Sequence, residues 1–388
     1  MSDSTKLIKS NEYHDVIEGK RVKTVNPPVY NGSTVLLEKY EDMVLARSGE
    51  YDGICYGTNR LPTQRAFEET LRELEGGQLT RAFQSGISAI INTLFAFTES
   101  GDHIILCDNV YGPTARFCNK ILSGYTIEVT FAPASAGTDI AEYIKKNTKL
   151  IFLESPGSNT FEIQDIPAIT AIARERNVIT VLDNTWATPL YLKPLQLGVD
   201  ISIQSVSKYI SGHSDVLLGA VTVNEKYSDT FDNFYNTMEI FAPPYDCYLA
   251  LRGLKTLPLR LKQHEISAIK VARWLETIDL VDKVIHPALQ THPQHHIWRR
   301  DFAGSSGLFA FTFKEDYSDE KIASFINTLD LFGIGFSWGG FKSLITAGKY
   351  KRVFESEYSD KTIIRLNIGL EDSNDLIKDL QKGLQVLE

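Results

Sequence analysis

Val178-Ile179-Thr180-Val181-Leu182-Asp183-Asn184-Thr185-Trp186 and Ile201-Ser202-Ile203-Gln204-Ser205-Val206-Ser207-Lys208 are two short apolar runs, each with an ionisable side chain at its end. Short runs rich in β-branched residues read as buried strands, here Val178–Asp183 and Ile201–Val206. Upstream, His103–Cys107, Thr126–Phe131 and Leu150–Glu154 have the same character, and helical stretches such as Ile166–Glu175 separate the runs. Near-continuous apolar strands alternating with helices predict an α/β fold around a mostly parallel sheet covered on both faces.

On the N-terminal side a helical pattern begins at Pro62, with Phe67, Leu71 and Leu74 on one face and Gly76-Gly77 as its stop. Ser88–Phe97 reads as a second helix. Residues 1–60 are polar and turn-rich (Asn26-Pro27-Pro28, Asn31-Gly32, Ser48-Gly49), which predicts an arm that wraps a body or a neighbouring subunit. On the C-terminal side a long helix is expected over Tyr245–Thr277. Gly307–Phe313 and Ile363–Ile368 alternate like half-exposed strands, with helices near Asp319–Thr328 and Ser373–Leu387. The expected organisation is an arm (1–60), a large domain (61–255) and a smaller C-terminal α+β domain (256–388).

A chain of 388 residues can bury a large core, and a formal net charge of −9 argues against a nucleic-acid partner. The first twenty residues show no apolar segment of the kind that directs secretion, and no apolar run approaches the roughly 18 residues that span a bilayer. Cys55, Cys107, Cys118 and Cys247 show no CxxC pairing, the pattern of a reduced, cytoplasmic protein.

Three features fall near predicted strand ends, where open α/β sheets bind ligands. Lys208 leaves a buried strand among small and hydroxyl-bearing residues, a setting in which an amine can be partly desolvated and form a Schiff base. A strand-end lysine pointing to water is the plainer alternative. Asp183 ends the preceding strand; a carboxylate there can pair with the ring nitrogen of pyridoxal phosphate (PLP), or simply cap a turn. Gln84-Ser85-Gly86-Ile87-Ser88-Ala89 is a small-residue turn entering a helix, a place where free amides hold phosphate. Together the three describe a grip on one flat, phosphorylated cofactor.

With Tyr56-Gly57, Asp108-Asn109-Val110-Tyr111-Gly112, Glu154-Ser155-Pro156-Gly157-Ser158, Ser205–Asp215 and Ile364–Asp372, these runs resemble the Cys/Met-metabolism family of fold-type I PLP-dependent enzymes, in order and over nearly the whole chain. Within it, Glu154–Phe161 and Gly335-Phe336-Ser337-Trp338-Gly339-Gly340-Phe341 are most similar to the bacterial cystathionine β-lyase branch. The resemblance implies a seven-stranded-type sheet and a homotetramer with active sites at subunit interfaces. It also implies the roles. Lys208 carries PLP and moves the Cα proton, Asp183 pairs with the pyridine nitrogen, and Tyr111 stacks on the ring. Gly86, Ile87, Ser205 and Ser207 hold the phosphate, joined by Tyr56 of a neighbouring subunit. Arg365 clamps the substrate α-carboxylate with Ser337, and Trp338 lines the site.

The implied reaction is β-elimination of L-cystathionine to homocysteine, pyruvate and ammonia, with alanine racemisation or cysteine desulfhydration as side activities. A γ-lyase or synthase, or a PLP-fold regulator with little catalysis, are the competing readings. One departure stands out: the family usually carries an arginine two residues after Tyr56, where this chain has Thr58. Arg60 is the expected substitute. His292, His295 and His296 read as a surface turn, with no metal expected, and His213 as a supporting donor behind Lys208.

Overall fold

The computed structural model describes every residue except 11, 12, 18 and 388. Its strands are β1 (Tyr13–Ile17), β2 (Lys20–Thr24), β3 (Leu79–Phe83), β4 (His103–Cys107), β5 (Glu128–Ala132), β6 (Thr148–Glu154), β7 (Ile179–Asp183), β8 (Ile201–Ser205), β9 (Gly219–Val223), β10 (Val281–Ile285), β11 (Leu308–Phe313), β12 (Gly333–Ile334), β13 (Leu344–Gly348) and β14 (Ile363–Asn367). The large sheet has seven strands in the order β3-β9-β8-β7-β6-β4-β5. β5, β4, β6, β7 and β8 run parallel, while β9 is antiparallel to both β8 and β3. Every residue of β4, β7 and β9 is buried, because helices cover both faces and leave no polar side to alternate.

β3 and β9 have no counterpart in the sequence reading. Both are five-residue runs without the long apolar signature of their neighbours, and Arg81 and Thr222 interrupt them. Their polar atoms are paired within the fold: Thr80 and Thr222 hydroxyls meet across the ladder at 2.7 Å, and Arg81 bonds Asp232.

The second sheet has the order β10-β11-β14-β13-β12 and is antiparallel except between β12 and β13. Here one expectation is corrected. Gly307–Phe313 and Ile363–Ile368 are not half-exposed: all six residues of β11 are buried, as are four of the five in β14. Phe309, Phe311 and Phe313 enter the core of the smaller unit, while Leu308 and Ala310 join the core of the larger one. The alternation separates two apolar cores rather than core from water.

A 32-residue helix, Pro244–Leu275, joins the two cores. Cys247, Leu254 and Leu261 pack with the large unit, and Val271, Ala272 and Leu275 with the small one. In the arm, the helix Asp3–Lys9 buries Leu7 in the large unit, and the Lys255 ammonium caps its end by donating to the Leu7 and Ser10 carbonyls, each at 2.6 Å. The arm helix Tyr40–Ser48 buries no residue. No helix among the described residues is long and apolar enough to cross a membrane.

Candidate active site

Parallel pairing brings the C-terminal ends of β4, β6, β7 and β8 to one edge, so the residues just beyond them converge. Glu154 and Asp183 are register partners on adjacent strands. Two buried carboxyls side by side cannot both ionise cheaply: burial pushes both upward, and the Asp183 charge adds to the rise at Glu154. Asp183 is held back because Thr185 donates to Oδ1 through its hydroxyl and, at 3.0 Å, its amide, and because Lys208 is near. Glu154 rises well above the usual carboxylate range, through burial first and the neighbouring Asp183 charge second. Its oxygens meet the Ser158 hydroxyl at 2.5 Å and the Tyr111 amide at 2.6 Å. That last bond fixes the backbone that presents Tyr111, whose side chain is 46% exposed.

Lys208 follows β8 and sends Nζ to Ser337 Oγ at 2.9 Å, and 5.3 Å from the centre of the Trp338 ring. Burial, then the neighbouring Arg365 charge, lower its pKa to about 8, against the opposing pull of Asp183. Roughly a tenth of the amine is then neutral at pH 7. The loop carrying Ser337 and Trp338 reaches Lys208 because Gly339 has φ +81 and a Cβ there would sit 2.9 Å from the Lys208 carbonyl carbon. Arg365, on β14, donates to the Phe336 carbonyl at 2.7 Å and weakly to Asn159 Oδ1 at 3.4 Å.

The structure can be tested against PLP without the cofactor present. Both Thr185 donors go to Asp183 Oδ1, and no hydrogen bond among the described residues reaches Oδ2, which leaves that oxygen available to a ring N–H. At the other end Ser85 caps the helix Gly86–Phe97 by accepting from the Ser88 amide. The Gly86 and Ile87 amides make no hydrogen bond among the described residues. A Cβ on Gly86 would lie 2.6 Å from Ser205 Oγ, so only glycine leaves this cradle open. The residues fit the group.

The remaining expected site residues are distributed less simply. Ser207 is already engaged, accepting from the Leu218 amide at 2.9 Å and donating to its carbonyl at 3.2 Å. Tyr56 is half-exposed in the arm, and no hydrogen bond joins it to Lys208 or the Gly86 turn among the described residues. Arg60 does not replace the missing arginine at Thr58: its guanidinium turns inward to Glu68 at 3.2 Å. His213 bonds the Ser211 carbonyl with Nδ1. His292 is buried rather than on a surface turn, because its Nδ1 accepts the Gln294 amide and closes a tight bend. No group of three or more potential metal ligands occurs among the described residues. Glu154, Thr185 and Asn159 escaped the sequence reading of the site. Only Glu154 carried a signal, an acid ending an apolar run one strand away from Asp183.

Comparison with known proteins supplies the family. A model of the Cys/Met metabolism PLP-dependent enzymes matches residues 4–385. The chain belongs to that family. PLP is therefore its expected cofactor. The chain is 38% identical over 369 residues to the cystathionine beta-lyase MetC of Escherichia coli, covering 92% of this chain and 93% of that one. It is also 38% identical over 398 residues to an L-alanine/L-glutamate racemase of Wolbachia pipientis, covering 99% and 97%. Among solved structures, metB of Corynebacterium glutamicum superposes with a TM-score of 0.90 at 30% identity, covering 100% of this chain and 99% of that one.

Proposed function

We propose that this enzyme is a cystathionine β-lyase, cleaving L-cystathionine to homocysteine, pyruvate and ammonia. The observation that carries the reading is Lys208, a lysine lowered to about 8 and held against Ser337 and Trp338, between the carboxylate of Asp183 and the guanidinium of Arg365. Bound through Lys208, PLP supplies an electron sink for negative charge arising at the substrate α-carbon. Asp183 keeps its charge toward the ring nitrogen because Thr185 occupies its other oxygen. Arg365 receives the substrate α-carboxylate through its planar fork, with Ser337 beside it. Once the substrate amine has displaced it from the cofactor, the freed Lys208 Nζ would take the Cα proton. The Cβ–S bond then breaks, sulfur gains a proton and leaves as homocysteine, and the remaining fragment hydrolyses to pyruvate and ammonia. Trp338, its ring centre 5.3 Å from Lys208 Nζ, and Tyr111 would line the site with aromatic rings. In the assembled homotetramer, Tyr56 reaches the phosphate of a neighbouring subunit.

The test is product analysis with PLP-loaded protein and L-cystathionine. Homocysteine with pyruvate supports the reading; cysteine with 2-oxobutyrate moves the enzyme to γ-cleavage. A second reading, amino-acid racemisation, draws on the racemase relative that spans 99% of the chain. Lys208 would serve one face of the α-carbon, and Tyr111 or Tyr56 would relay a proton to the other. Failure to interconvert D- and L-alanine removes it.

A further inference from the structure

The segment between β13 and β14, residues 349–362, leaves the smaller unit and packs on the larger one. Tyr358 is buried in the larger core, and Phe354 stands edge-on to Tyr143 with ring centres 6.4 Å apart. The same segment sends Arg352 inward. One terminal nitrogen of its guanidinium donates to Asp108 Oδ1 at 2.8 Å; the other donates to Thr160 Oγ1 at 2.6 Å and to Glu162 Oε1 at 3.2 Å. The Phe354 amide adds a bond to Asp108 Oδ2 at 3.2 Å. One side chain from the β13–β14 connection thus grips two loops of the larger unit.

Both loops run into the site. Asp108 directly follows β4 and stands three residues before Tyr111. Thr160 and Glu162 belong to the loop after β6 that carries Asn159, whose Oδ1 accepts from Arg365 at 3.4 Å. The loops are also bonded to each other: the Ser158 amide donates to the Asn109 carbonyl at 2.8 Å, and Gln164 Nε2 to Asn109 Oδ1 at 2.9 Å. Asn159 and Phe161 have φ of 67 and 54, a left-handed backbone that residues with side chains adopt at a cost and keep only where their surroundings impose it. Thr160, whose hydroxyl Arg352 holds, lies between them. The grip therefore closes on the strained part of the loop.

We propose that Arg352 is a positioning residue that sets the gap between Tyr111, on the larger unit, and Arg365, on the smaller one, by fixing the β13–β14 segment to Asp108 and Glu162. Arg365 stands on β14, the strand this segment enters. The planar fork suits the task, because it holds two acids in set directions where an ammonium supplies only a point charge. Without the fork, the smaller unit and Arg365 with it shift relative to the strand-end edge that holds Lys208 and Asp183. The proposal rests on the reading that Arg365 holds the substrate α-carboxylate and Tyr111 faces the cofactor ring, and not on which reaction follows.

The test titrates the PLP-loaded enzyme with L-norleucine and with n-pentylamine, the same chain without its carboxylate. Cofactor absorbance gives two dissociation constants, and their ratio reads the carboxylate's share of binding. Wild type prefers norleucine. Arg352→Gln cuts that preference roughly tenfold, the scale of one charge-assisted hydrogen bond, and leaves the pentylamine constant unchanged. Arg352→Lys, which keeps a cation beside both acids, cuts it severalfold. Lost stability alone shrinks the folded fraction and does not move the ratio, so a wild-type ratio in both variants overturns the proposal. Should Arg352→Gln fail to fold, Arg352→Lys decides. If wild type shows no preference for norleucine, the Arg365 reading fails, and the visible circular dichroism of the bound cofactor decides instead. It differs between Arg352→Lys and wild type if Arg352 sets Tyr111; identical spectra refute the proposal.

Discussion

Glu75→Gln should stabilise the protein at alkaline pH and do little at acid pH. Glu75 ends the helix Pro62–Glu75 beneath β8, the strand that delivers Lys208. Its Oε1 accepts from Ser202 Oγ and Gln204 Nε2, each at 3.0 Å, while Oε2 is buried with no hydrogen-bond partner. Burial raises this carboxyl from 4.5 to about 7, and the two hydrogen bonds with the nearby Lys193 charge do not offset it. Because the folded value is the higher one, the folded protein binds more protons between those limits. Stability is therefore full below about 4.5, falls as pH rises, and levels off above about 7.

Moving a carboxyl over that range is worth roughly 3 kcal/mol at about 1.4 kcal/mol per tenfold change. Glutamine keeps the acceptor for Ser202 and Gln204 and cannot ionise, so it removes the cost above pH 7. At pH 5 the cost has accumulated only to about 1 kcal/mol. The amide leaves its N–H groups unpaired where Oε2 stood, which lowers the gain equally at both pH values. The quantity to measure is the variant-minus-wild-type difference in urea unfolding free energy at pH 8, less the same difference at pH 5. Protein concentration must be fixed, since subunit association contributes to stability. A pH-dependent gain of about 2 kcal/mol is expected. An offset identical at both pH values would refute the reasoning, because Glu75 would then be ionised at no cost or hydrated.

Other substitutions test the site and its supports. Gly86→Val places a side chain against Ser205 and should weaken PLP binding at least roughly tenfold, read as cofactor absorbance surviving gel filtration; full retention would remove the phosphate cradle from this turn. Asp183→Asn preserves the shape and the Thr185 contacts, so PLP stays bound while kcat falls by roughly a hundredfold or more; a near-normal kcat would contradict the ring-nitrogen assignment. Arg352 donates to Asp108 at 2.8 Å and to Glu162 at 3.2 Å with all three side chains largely buried, and Arg352→Gln strands both acids at a cost of about 3 kcal/mol in urea unfolding. Unchanged unfolding would mean that solvent reaches that cluster.

The sequence disclosed those parts of the fold whose residues answer to one environment. β4 and β7 are apolar throughout because each is covered on both faces, and the helix Pro62–Glu75 shows its apolar face and its glycine stop. β3 and β9 were invisible because their polar residues find partners inside the fold, Thr80 with Thr222 across the ladder and Arg81 with Asp232. The small sheet misled for the opposite reason: β11 alternates between two cores, and period-two alternation looks the same whether its second face meets water or protein. In the site, Lys208 and Asp183 were legible because an ionisable side chain closing an apolar run is conspicuous. Asn159 and Thr185 were not, since short polar residues after a strand are ordinary turn formers.

That division extends to the chemistry. Lys208, Asp183 and the Gly86 turn stand at the ends of strands locked in the large sheet, so a chain with this fold and these residues holds the electron-sink machinery in place. The groups that would choose a substrate come from elsewhere. Arg365 belongs to the small sheet and Tyr56 to the arm; Ser337 sits in a loop whose neighbour Phe336 is 92% exposed. That loop is held where Gly339 touches the Lys208 backbone and donates to Asn367 Oδ1, and where Arg365 donates to the Phe336 carbonyl. On the proposed roles, the strand-end residues carry the reaction and residues brought in from other elements carry the selection. Relatives each 38% identical to this chain are a lyase in one case and a racemase in the other. Deciding between those outcomes requires varying the rim at Thr58 and Ser337, because changes at Lys208 or Asp183 would abolish either reaction alike.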